Sequence, residues 1–133
     1  MTTMTLGAPA YALEIRDANE VAPTRARRWL AQCLEVAGVA QAALETALLV
    51  VSELVTNSML YVGGRVLVSA EVVEAGVRLV VHDSGTEVWS ATDAEDLPEH
   101  GRGLLIVEGV AKEFDISADA FGTTITALIP TGA

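Results

Sequence analysis

Cysteine is nearly absent from this chain: Cys33 is the only one. A single thiol builds neither a disulfide framework nor a multi-cysteine metal site within one chain, and Cys33 reads as a small buried hydrophobe. Cations are also scarce. Eight Lys and Arg stand against eighteen Asp and Glu, a net charge of −10. Nucleic-acid binding rests on Lys and Arg meeting phosphates, so a nucleic-acid partner is excluded as the main task. Long apolar runs are missing too. The longest candidate, residues 47–61, is interrupted by Glu53 and Asn57, which argues against a membrane-spanning helix. Residues 1–10 lack the positive stretch and apolar core of a secretory signal. These absences predict a soluble, cytoplasmic protein with no membrane partner.

Apolar residues nonetheless make up 51% of the chain, too many for a disordered polypeptide. The 133 residues are about one average domain, expected to span 1–133 with residues 10–130 ordered. Tyr11, Leu13 and Ile15 alternate with other residues, as in a half-buried strand. Pro23 suits a first helical turn. Ala26, Trp29, Leu30, Cys33, Leu34 and Ala37 follow helical spacing, and Gly38 stands where a helix closes, so 23–37 is a predicted helix. A second runs over 41–61 with Leu44, Ala47, Leu48, Val51, Val55 and Met59 as its core stripe, ended by Gly63 and Gly64. Val66, Val68, Ala70 and Val72, a turn at 74–76, then Val77, Leu79 and Val81 predict a hairpin over 65–83. Periodicity fails from Ser84 to His100, and a loop this long in a small domain is usually functional. A short helix over 103–112 and strands over 114–117 and 123–129 complete the chain. This order predicts an α+β fold: a two-layer sandwich with a mixed, mostly antiparallel sheet and helices on one face.

Three segments carry candidate chemistry. Glu53 and Asn57 lie four apart, one helical turn, on a face away from the Val51/Val55 stripe. An amide oxygen there suits a hard cation such as Mg²⁺, and a carboxylate can take a proton from a hydroxyl. Taken alone, the pair is also what any surface helix offers. Asp83, directly after an apolar strand and followed by Ser84 and Gly85, suits a ligand-facing turn. A fixed carboxylate accepts a hydrogen bond from an amino group such as adenine N6 and repels the guanine O6. An Asp turn after a strand is also common with no ligand. Gly101-Arg102-Gly103-Leu104 opens a helix, where backbone N–H groups form an anion site. A hinge closing the preceding loop would look the same.

The order of these segments, closed by a strand that starts Gly122-Thr123, resembles the Bergerat-fold superfamily of ATPases and kinases. The small size, Glu53-Leu54-Val55-Thr56-Asn57, the arginine-rich first helix and Gly101-Arg102-Gly103-Leu104 look most like the anti-sigma-factor serine kinases, over about residues 10–130. The resemblance implies a histidine-kinase-like ATPase fold that binds ATP with Mg²⁺. It implies that Asn57 holds Mg²⁺ and that Glu53 is the general base acting on a partner's serine. Asp83 would bind adenine N6, with Gly85 making room for the base and Thr123 close by. Gly101, Arg102, Gly103 and Leu104 would shape the phosphate end. The implied partners are a sigma factor and an anti-sigma-factor antagonist protein, with a homodimer possible for such relatives. Arg25 and Arg28 on one face of the first helix, with Arg27 nearby, would meet a partner. Departures are Tyr61, where relatives often carry His, and the missing proline-rich run after Gly85. The loop holds five acids (Glu87, Asp93, Glu95, Asp96, Glu99) and no Lys or Arg between Ser84 and Glu99. Trp89 is expected to pack within that loop. A competing expectation is a nucleotide-sensing binding module without kinase activity, which would not need Glu53.

Overall fold

A computed structural model describes residues 10–85 and 101–131. The acidic loop, Trp89 and the N-terminal nine residues lie outside them. Strand β1 (Ala10–Ile15) leads into helices α1 (Ala22–Val36) and α2 (Gln41–Tyr61). Strands β2 (Val66–Val73) and β3 (Gly76–Asp83), helix α3 (Gly101–Val110) and strands β4 (Glu113–Asp119) and β5 (Gly122–Pro130) follow. The five strands form one sheet in the order β1-β2-β3-β5-β4.

Local chemistry sets the helix ends. The Asn19 side-chain oxygen accepts the Val21 N–H, and Pro23 occupies the first turn of α1, where its missing donor costs nothing. Gly38 adopts φ +78°, a conformation that closes a helix cheaply only for glycine, and the Val39 N–H returns to the Leu34 carbonyl. Ala22, Ala26, Leu30 and Leu34 are the buried stripe of α1. Cys33 is half-buried. Burial pushes its thiol above the ordinary value, against a smaller lowering by a backbone hydrogen bond, so it stays protonated at neutral pH.

Helix α2 is the centre of the helical layer. Val50, Val51, Leu54 and Val55 are fully buried, a wider face than the expected stripe, because α2 meets α1, α3 and the sheet together. By length and composition it could cross a membrane, but in this fold half of that stretch is buried inside the domain. It packs over Val77, Leu79, Val81 and Ile129 of the sheet, in one cluster with Leu104 and Val107 of α3.

The sheet is antiparallel at every pairing, rather than mixed. Two helices between β1 and β2 bring the chain back to the end it left, so those strands run oppositely. One helix between β3 and β4 makes them run the same way, the relation that suggested a mixed sheet. However, β5 inserts between them and pairs antiparallel with both.

Candidate functional site

The inward side chains of β3 are Val77, Leu79, Val81 and Asp83. The two-residue alternation of a strand thus places a carboxylate at the end of an otherwise apolar row. Asp83 is 6% exposed, and among the described residues no Lys or Arg pairs with it. Burying such a charge is costly unless hydrogen bonds replace water. Two do so: the Ser58 hydroxyl donates to one oxygen at 2.7 Å, and the Gly85 N–H donates to the other at 2.9 Å.

Asn57, the neighbour of Ser58 on α2, is 5% exposed, and its Nδ2 is buried with no hydrogen-bond partner. The expectation that Glu53 and Asn57 share a face away from the core holds for Glu53, which is half-buried. It does not hold for Asn57, which is buried. An unpaired buried amide costs about 1–3 kcal/mol, so Asn57 is poorly explained as a packing residue.

The glycines mark close approaches. A Cβ on Gly85 would lie 2.6 Å from Val62 Cγ2 and 3.2 Å from an Asp83 oxygen. The Gly85 carbonyl accepts the Thr123 hydroxyl, and Thr123 faces Asp83 across the β3–β5 register. Gly122 has φ +139°, and a Cβ there would sit 1.9 Å from the Asp83 carbonyl oxygen, so only glycine lets β5 start so close to β3. On α3, a Cβ on Gly103 would lie 2.6 Å from Glu53 Oε1. Leu104 is buried beside it. Gly101 and Arg102 open α3, and the Arg102 side chain lies outside the described atoms.

The structure therefore gathers Glu53, Asn57, Asp83, Gly85, Gly103 and Thr123 around one end of the sheet. Sequence reasoning missed Ser58 and Val62, and took Gly122 only as the start of the closing strand. Ser58 had a signal: it lies seven residues after Val51, on the core stripe, where a polar side chain needs a partner. The three arginines separate. Arg25 and Arg28 are exposed, whereas Arg27 donates to the Ser52 hydroxyl of α2 at 2.9 Å and to Thr24 at 3.3 Å.

The donor set suits Mg²⁺ in the sparse way that ion is usually held, by one or two protein groups plus phosphates. Among the described residues no three His, Cys, Asp or Glu side chains converge as a metal cage; the unused group of Asn57 is its Nδ2, a donor suited to a phosphate oxygen, and its amide oxygen is the atom that would meet a cation.

The sequence matches the histidine kinase-like ATPase domain family over residues 15–129. No curated protein matches it significantly. Among solved structures, the fold is similar to a chain in the crystal structure of the RsbU and RsbW domains of Rv1364c from Mycobacterium tuberculosis. That match has a TM-score of 0.69 and 24% identity, and covers 90% of this chain but 32% of the other, so this chain spans about a third of that solved chain's length. It is also similar to a chain of the SiaB–SiaC complex from Pseudomonas aeruginosa, with a TM-score of 0.64, 13% identity and 88% of both chains covered.

Proposed function

We propose, from the premise that this chain belongs to the histidine kinase-like ATPase domain family, that it is a cytoplasmic, ATP-binding anti-sigma factor and serine kinase. It would hold a sigma factor inactive and phosphorylate the antagonist that would displace it. The observation that carries the ATP reading is the buried, unpaired Asn57 amide beside the doubly held Asp83 carboxylate. Asn57 adjoins Ser58, which bonds Asp83, so these buried polar groups gather at one place and fit a polar ligand. The partner reading is supported by the likeness to the RsbW-containing chain and to a chain solved in complex with a second protein.

Each residue then has a task. Asp83 accepts the adenine 6-amino group, and Gly85, fixed by Thr123, keeps that space free of a side chain. The first N–H groups of α3, from Gly101 to Leu104, face the phosphates as an anion site, and Arg102 adds a cation. Asn57 offers its amide oxygen to Mg²⁺, which supplies charge neutralisation at the phosphates when bound. Glu53 accepts the proton of the partner's serine as that oxygen bonds to the γ-phosphorus. The bond from the γ-phosphorus to the bridging oxygen breaks, and ADP leaves. Such transfer depends mainly on positioning and charge. Gly103 matters here because any side chain would push the Glu53 carboxylate aside.

Arg25 and Arg28 supply the partner contact. They are exposed cations on a chain of net charge −10, and arginine pairs with carboxylates in two places at once. The matching surface is acidic, and the contact weakens with salt. Reversing both to Glu is expected to abolish partner capture while leaving ATP affinity and the melting temperature nearly unchanged, since neither side chain packs in the core. The test is a pull-down of candidate sigma factors and antagonists, beside transfer of label from γ-labelled ATP to the antagonist. Undiminished capture by the double variant would move the interface off α1, and label transfer to no candidate would favour the sensing module.

A further inference from the structure

Ser58 has no role in the reading above, yet its contact is specific. The two hydrogen bonds to Asp83 differ in kind. Gly85 is two residues away along the chain, a local turn contact that the backbone makes for itself. Ser58 is twenty-five residues away, on α2, and reaches the other carboxylate oxygen. The last torsion of an aspartate is broad, so a carboxylate held at one oxygen swings. Held at both, from two different elements, its plane is fixed.

Packing does not explain the hydroxyl. Ser58 is 2% exposed on a core helix, where alanine fills nearly the same space and is the better helix former. Nor does the hydroxyl quench the charge as a Lys or Arg would. It donates to Asp83 and leaves the carboxylate an acceptor, with lone pairs remaining on both oxygens.

We infer that Ser58 is a positioning residue that sets selectivity for a 6-aminopurine, by fixing the Asp83 carboxylate plane so that its free lone pairs meet the 6-amino group. This rests on the reading of Asp83 as the adenine contact. The bond also ties the base contact to the helix that carries Asn57 and Glu53, so base recognition and phosphate chemistry share one frame.

The test compares ATP with purine riboside triphosphate, which lacks only the 6-amino group, by titration calorimetry with Mg²⁺. Wild type is expected to prefer ATP about 10–100-fold, as for a hydrogen bond to a charged group. Ser58→Ala is expected to cut that ratio about five- to tenfold, with the affinity for purine riboside triphosphate changed less than about twofold. Ser58→Cys, near-isosteric with a weaker donor, should fall between the two and serves should the alanine variant not fold. A purely structural role lowers both affinities together and leaves the ratio unchanged, and that result overturns the inference. A wild type that binds ATP without preferring it over purine riboside triphosphate, or does not bind it, overturns the adenine reading itself and the inference with it.

Discussion

Glu53→Gln is expected to slow phosphoryl transfer to the antagonist by about 10²–10⁴-fold, the usual loss when a general base is removed, while ATP affinity stays within a few-fold. The glutamine keeps the size of the side chain that fits against Gly103, so the α2–α3 junction is preserved. It cannot accept the serine proton. Glu53 is half-buried, one helical turn from Asn57, rather than in the buried row with Asp83. An incoming side chain can therefore reach it without contacting the base. Single-turnover transfer and nucleotide titration on the same protein separate the two effects. Unchanged transfer would show that Glu53 is not the base.

Asn57→Ala is expected to give an opposed pair of results. The Mg²⁺-dependent part of ATP affinity should be lost. For a direct ligand this is at least the ~10–100-fold seen when groups supporting a metal site are removed. The melting temperature without nucleotide should not fall. The variant loses an amide whose unpaired donor costs about 1–3 kcal/mol and in exchange leaves a small cavity. A residue kept for packing behaves the other way: its loss lowers the melting temperature and leaves Mg²⁺ dependence intact. Thermal melting and ATP titration with and without Mg²⁺ read both quantities.

Much of this was legible because the signals were local. Pro23 and Gly38 bound α1, Gly63 and Gly64 end α2, and alternation from Val66 to Val72 and again from Val77 to Val81, either side of the turn, fixes both the hairpin and the inward register that delivers Asp83. The separation of the arginines follows from helical geometry. Arg25 and Arg28 are three apart and share a face, whereas Arg27 is turned toward α2. What was not legible depended on contacts far apart in sequence. No periodicity reports that β5 inserts between β3 and β4. The burial of Asn57 depends on the packing of α2 against other elements, and a polar residue on one helix carries no sign of that. Ser58 was readable in principle, as a hydroxyl on a core stripe, but its partner lies in another element. Gly122 looks like any turn glycine until the register sets it against the Asp83 carbonyl.

The central claim is that Asp83 and its neighbours form an adenine site, and titration calorimetry of Mg-ATP and Mg-GTP into wild type and Asp83→Asn tests it most directly. The account predicts that wild type binds ATP about 10–100-fold more tightly than GTP, the scale of one hydrogen bond to a buried charge. It also predicts that Asp83→Asn, whose amide can turn a donor toward O6, loses most of that preference. Equal affinities for the two nucleotides in wild type, or a preference that survives in Asp83→Asn, would contradict it.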